Sequence, residues 1–273
     1  MIVVAGVWAG MINAVVGSGT LVTFPVLVAL GYPPVTATTS NAIGLAPGSV
    51  SGAIGYRHEL GGQARTLASF LPASILGAVV GTILLLSLPA NAFEMIVPVL
   101  IVLALVLVLI QPKVSAWVAR RRNRNQLHPG GGDGGADGGV DGGADGGAAA
   151  GRSAKSAVLL ITLIFLTGIY GGYFTAAQGV MLMAIMGILM TEPLQTLNGI
   201  KNVLAAAVNI VAGLVYAFSA PISWPVVGLL AVGSVVGGQL GAKIGRKLSP
   251  RLLRAAIVVI GLAAVIQLIA SHW

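Results

Sequence analysis

The chain of 273 residues contains no cysteine, which excludes disulfides, thiolate metal sites and cysteine nucleophiles. Only 8% of its residues are charged, so it lacks the charged surface with which a soluble domain of this size meets water. Its three histidines, His58, His128 and His272, fall in a connecting loop, in the central linker and at the last-but-one position. None can serve as the base of a Ser–His pair inside an apolar segment. The absence of a G-x-x-x-x-G-K-[ST] motif argues against a nucleotide drive supplied by this chain. The net charge of +8 is not read as a nucleic-acid footprint, because Lys and Arg cluster between apolar segments, in 57–65, 113–155 and 243–254. That is the placement of cytoplasmic loops.

What is present is apolar sequence: 56% hydrophobic residues and a mean hydropathy of +0.96, in runs that belong in a bilayer. The opening Met1–Val16 has no basic n-region and reads as structure, not as a cleaved signal. Shifting the chain by 161 residues lays Gly10 on Gly171, Asn41 on Asn202, Gly52 on Gly213, Gly77 on Gly238 and Pro89 on Pro250. The register holds without a gap over about 80 positions, the mark of an internal duplication.

Each copy divides into four apolar pieces: a (2–30 and 157–190), b (35–56 and 195–217), c (66–88 and 224–245) and d (91–111 and 252–271). Pieces b, c and d each supply the ~20 residues that cross a ~30 Å core. Piece a is interrupted by Gly17-Ser18-Gly19 in the first copy, and by Gly171-Gly172 followed by Gln178-Gly179 in the second. The halves of about 12 to 15 residues are too short to cross alone and predict a re-entrant pair beside a cavity, since irregular backbone at membrane depth needs polar partners. The loop charges agree. The b–c loop of copy one (Arg57, His58, Arg65) is basic and that of copy two (Ser219–Ser223) is not, while the c–d loops show the reverse.

The expectation is therefore an all-α polytopic membrane protein of two inverted repeats, each a broken or re-entrant helix pair plus three transmembrane helices. The first repeat covers 1–112, a flexible Gly/Asp-rich cytoplasmic linker covers 113–156, and the second repeat covers 157–273, with both termini outside. A single full crossing by piece a is the alternative. Asp133, Asp137, Asp141 and Asp145 in the linker lack the liganding pattern of an EF-hand loop, and no metal or cofactor is expected.

Polar residues inside the spans need a reason. Ser18, Thr39, Ser40, Asn41, Gln178, Lys201 and Asn202 cluster at the breaks and in the early turns of the b helices, and are the candidate substrate-binding set. Lys201 is the one Lys or Arg within a predicted span; it either faces an anion or snorkels to the surface. Half-helices starting near Ser18 and Gln178 would aim N–H groups at the same cavity. Asn41 and Asn202 serve equally as ligand contacts or as interhelical glue, and the glycines of the b and c helices read as packing positions.

At these residues the chain resembles the sulfite exporter TauE/SafE family of membrane permeases. The resemblance runs from Gly10 through Gly17-Ser18-Gly19 to Pro25, then Thr39-Ser40-Asn41, Gly52 to Tyr56 with Arg57, and Gly77 with Gly81. In the second copy it rests on Lys201-Asn202, Gly213, Gly237-Gly238 to Gly241 and Leu248-Ser249-Pro250. Where the family pattern carries a third glycine at the first break, this chain has Thr20. The resemblance implies a secondary transporter in the plasma membrane, exporting small sulfur-containing anions such as sulfite or organosulfonates. Protons are a candidate coupling ion and the lipid bilayer is the other partner. A passive anion channel and an intramembrane Ser18–Lys201 hydrolase are the competing readings.

Overall fold

A computed structural model describes residues 1–127, 145–244, 255, 257–259 and 262; piece d of the second copy and most of the Asp/Gly run lie largely outside them. Among the described residues all regular structure is helical. The helices are α1 (Ile2–Val15), α2 (Thr20–Ala29), α3 (Pro34–Gly55), α4 (Ala64–Ser87), α5 (Ala90–Leu127), α6 (Asp145–Tyr173), α7 (Gln178–Leu189), α8 (Leu194–Ser219) and α9 (Trp224–Ile244). Proline sets several starts: Pro34 opens α3, Pro193 caps α8 and Pro225 lies in the first turn of α9, positions where its missing N–H costs nothing. Gly31, at φ +88°, stops α2 and lets Tyr32 N reach back to Leu27 O at 3.1 Å.

Five helical segments are long and apolar enough to cross a membrane: Ala64–Ser87, Met95–Lys113, Ser156–Tyr173, Leu194–Ser219 and Trp224–Lys243. α3 has the length at 22 residues, but its first turns carry Thr36, Thr38, Thr39, Ser40 and Asn41. α1, α2 and α7, with 14, 10 and 12 residues, match the short halves expected of piece a. The fourth half does not. Ser156–Tyr173 is 18 residues of apolar helix and long enough to cross, because the helix runs through Gly171-Gly172 instead of breaking there. The second break lies at 174–177, where Thr175 and Ala177 take positive φ without being glycine. α5 also continues past residue 112 as far as Leu127, and α6 begins at Asp145.

Small residues set the helix neighbours and directions. Gly233, Gly237 and Gly241 lie in turn against the backbone of Val3, Val7 and Met11, so α9 runs parallel to α1. Gly77 and Gly81 lie against Phe165 and Ile169, so α4 runs parallel to α6. α3 follows α9 through Gly44, Gly48 and Gly55, against Leu230, Ser234 and Ala242, and runs antiparallel to α8, where Gly213 meets Ile43 and Gly52 meets Asn202. Such close approach is how helices bind one another where lipid removes the hydrophobic drive. The outer faces carry exposed Leu76, Val99, Phe218 and Val232, which a soluble domain would bury.

These contacts replace the gapless register with a drifting one. The two bends stand 158 residues apart, and α3 and α8, like α4 and α9, start 160 apart, so that Asn41 corresponds to Lys201 and not to Asn202. In the structural register Gly10 on Ser234 matches Gly168 on Ser74.

A side chain at Gly237 would collide with Val7 O, whereas the space around Gly228 on the same helix is open. Gly237→Leu is therefore expected to destabilise the protein by at least ~1–3 kcal/mol. Gly228→Leu should leave the thermal unfolding midpoint in detergent unchanged; equal midpoints for the two variants would refute the packing assignment.

Candidate functional site

The two bends meet. Gly17, at φ +90°, lies with its Cα against Gly179, and Gly179 N donates to Gly17 O at 3.0 Å. Only glycine on both sides allows backbone to touch backbone here. The first chain segment reverses at this point, since Gly19 lies against Ala9 O, more than a turn before the end of α1. In the second bend Tyr170 O receives both Phe174 N and Thr175 N before α7 starts at Gln178.

Each bend leaves backbone donors over. Among the described residues no backbone hydrogen bond is donated by Ser18, Gly19 or Thr20, nor by Ala176, Ala177 or Gln178, and all six residues are buried. The side chains add to the deficit. Ser18 Oγ and both polar atoms of the Gln178 amide are buried without a partner, and the Gln178 amide lies against Gly171. Two short runs of unbonded N–H groups, each at a helix N-terminus, thus flank the Gly17–Gly179 contact.

Lys201 enters from α8. Its stem crosses Gly179, and Nζ donates to Asn13 O at 3.2 Å and Ala14 O at 3.0 Å, the free carbonyls at the C-terminal end of α1. The side chain is fully buried and does not reach the surface. Asn202 Nδ2 donates to the same Ala14 O at 3.2 Å. A cation at a helix C-terminus is favourable on dipole grounds as well as through its hydrogen bonds. An ammonium has three donors, so two bonds leave one in hand beside the N-terminus of α7. No Asp or Glu occurs in α1, α2, α3, α7 or α8, so Lys201 sets the sign of the charge there. Its nitrogen is not bonded to Ser18 Oγ, the contact that a serine–lysine hydrolase would need.

The other expected residues divide. Asn41 Nδ2 donates to Thr20 Oγ1 at 3.0 Å, and Thr23 Oγ1 donates to Asn41 Oδ1, so Asn41 steadies the first turn of α2. Thr20 thus fills with a hydroxyl the position where the family pattern carries glycine. Thr39 and Ser40 lie elsewhere: Thr39 Oγ1 donates to Pro221 O at 2.7 Å and Ser40 Oγ accepts Ser223 N at 3.0 Å, latching the α8–α9 connection.

Three participants stand out only in the structure. Ser49 Oγ accepts amide donors from Asn13 at 3.0 Å and Asn209 at 2.9 Å, tying α1, α3 and α8 together. Tyr216 OH donates to Gly172 O, capping α6 from the far end of α8. Phe174, inside the second bend, stacks edge-on against Phe24 at 5.3 Å and packs near Phe93 at 6.4 Å. The sequence carries faint signals for the polar members, Asn13 and Asn209 as costly residues in a span and Tyr216 as a hydroxyl in an apolar helix.

Buried donors at two touching helix bends, inside a bundle with an apolar exterior, define a polytopic membrane protein with a polar centre. Known proteins agree on that class. A "Probable membrane transporter protein" of Haemophilus influenzae is 23% identical over 93% of this chain and 88% of its own length. A "Probable membrane transporter protein ORF9" of Sinorhizobium sp is 22% identical over 98% and 91%. "Probable membrane transporter protein YfcA" of Escherichia coli K12 is 22% identical over 92% and 82%. No solved structure matches the chain. Residues 2–268 match the family model of the sulfite exporter TauE/SafE, and the chain belongs to that family. It is an integral, multi-pass membrane protein, a transporter of the TauE/SafE type.

Gly62 also has positive φ, at +79°, but stands in open space, so it separates backbone strain from crowding. Gly62→Ala should cost about 1–2 kcal/mol from the left-handed conformation alone. Gly17→Ala carries that cost plus the collision with Gly179, and its midpoint in thermal unfolding should fall clearly further; similar losses would mean that the bends do not touch.

Proposed function

We propose that this chain is a secondary transporter of small sulfur-containing anions such as sulfite or organosulfonates. It works as an exporter in the plasma membrane by alternating access around the two bends. The observation that carries the reading is the set of six N–H groups without backbone acceptors on buried residues, together with unpartnered Ser18 Oγ and Gln178, at the point where the bends meet. Each buried donor left unmet costs about 1–3 kcal/mol, and an oxyanion, which presents only acceptors, offsets that cost. The free donor of Lys201 supplies countercharge, and the ends of α2 and α7 supply partial positive charge. Gln178 brings an acceptor as well as donors, so a monoprotonated anion can be held there, and a coupled proton can travel on the substrate.

The helix directions support the inverted arrangement. α1, α3 and α9 run one way while α4, α6 and α8 run the other, so α1, α3 and α4 oppose α6, α8 and α9. Arg57 at the end of α3 and the basic residues toward the end of α5 then share one side, which the positive-inside rule makes cytoplasmic.

The test is uptake and charge movement by the purified protein in liposomes with sulfite, an organosulfonate, sulfate, chloride and an amino acid, with and without a pH gradient. Saturable, gradient-dependent movement of sulfur oxyanions with counterflow is expected. Flux without saturation or counterflow would indicate a channel, and no anion signal would remove the reading. Lys201→Met should weaken anion affinity by about 10- to 100-fold, the range for losing a hydrogen bond to a charged group. Gln178→Leu should weaken it only a few-fold, and wild-type affinity in Lys201→Met would confine that side chain to capping α1.

A further inference from the structure

Two open apolar grooves, of about 400 and 350 Å³, lie end to end along the seam between α3 and α8 and share Val50 and Ile210. They are the same groove made twice. A shift of 160 residues carries the α3 lining of either groove onto the α8 lining of the other, Ala46 onto Ala206, Val50 onto Ile210 and Ile54 onto Leu214. The same shift carries Arg57, at the outer end of the first groove, onto Ala217, at the outer end of the second. The paired α3 and α8 positions otherwise match small with small and branched with branched; Leu71 lines only the first groove and Asn209 only the second, and charge stands at one mouth alone.

We infer that the grooves are a pair of phospholipid sites, one per leaflet, and that Arg57 makes the cytoplasmic one selective for an anionic headgroup. Length fits a lipid chain. Arg57 stands seven residues from Val50, about 10 Å along the helix, and its extended side chain adds the reach needed to meet the boundary of a ~15 Å leaflet. The chain ends of two lipids would meet at Val50 and Ile210, which line both grooves. Charge complementarity fits an anionic head, because Arg57 is exposed at its groove's mouth and none of the lining residues of either groove is acidic. Anionic lipid is concentrated in the cytoplasmic leaflet, the side on which the loop charges put Arg57. A second copy of the chain is the poorer occupant, since it would face Arg57 with a lining that offers no carboxylate. The inference is independent of what is transported; only the assignment of sides rests on the proposed topology.

The test is native mass spectrometry of the full chain released from nanodiscs containing equal phosphatidylglycerol and phosphatidylcholine. One tightly retained phosphatidylglycerol per protein is expected. Arg57→Gln, an exposed change that leaves the fold intact, should reduce its retention about fivefold. Ala217→Arg should add a second. Unchanged phosphatidylglycerol retention in Arg57→Gln would overturn the proposal, as would failure of Ala217→Arg to add a lipid. So would efficient crosslinking of Ile54→Cys between copies in the bilayer, which would give the groove to a second chain.

Discussion

One backbone contact orders the centre of this protein: Gly179 N–H donating to Gly17 O across a crossing with no side chain on either strand. Inside a bilayer, unwound chain must find polar partners within the protein. The two bends solve part of this by bonding to each other, which fixes their distance and leaves the rest of their donors facing the same interior. An extended stretch at either bend alone would have no partner. The duplication is thus not ornamental, because the first copy supplies the acceptor that the second copy's break requires.

α8 holds this centre from one side. Lys201 and Asn202 cap the end of α1, Asn209 meets Ser49 of α3, and Tyr216 caps α6 at Gly172. From Lys201 to Tyr216 is about 22 Å of helix, so one rigid rod grips both bends. Its counterpart α3 does something different. Its small face of Gly44, Gly48 and Gly55 is set into α9, and the polar residues of its first turns go to α2 and to the α8–α9 connection. α3 is packed by backbone proximity, whereas the matching positions of α8 carry Leu204 and Val208 in its buried face.

The all-helical class, three of the four short halves and the first bend were legible because their causes are local. Apolar length sets a span, and a left-handed turn at Gly17 demands glycine. The second bend was legible only in part, for the same reason: α7 starts at Gln178 as expected, but the helix does not break at Gly171-Gly172. Thr175 and Ala177 adopt left-handed conformations that nothing in their chemistry advertises, while Gly171 and Gly172 stay helical; Gly172 lies against Ala78 of α4 and Gly171 against the Gln178 side chain. A β-branched residue at positive φ is held there by its surroundings, and such strain belongs at working sites. Within the candidate set, Ser18 and Gln178 were legible as polar residues at breaks. That Thr39 and Ser40 serve a loop some 180 residues away was not, since a hydroxyl in a helix reads alike whatever it bonds.

Comparing matched residues across the halves shows what transport would have to exchange. In the structural register Gln178 corresponds to Thr20, and Lys201 to Asn41. Asn41 is bonded to Thr20, but Lys201 is bonded to Ala14 O, and Gln178 is left without a partner. Alternating access by inverted halves means that each half in turn adopts the other's arrangement. In the exchanged state Lys201 would leave the end of α1 and stand to Gln178 as Asn41 now stands to Thr20. The amide that an anion would occupy in one state is therefore the amide that α8 takes up in the other. Under the proposed transport, anion release and movement of α8 would be two sides of one exchange of hydrogen bonds at Gln178.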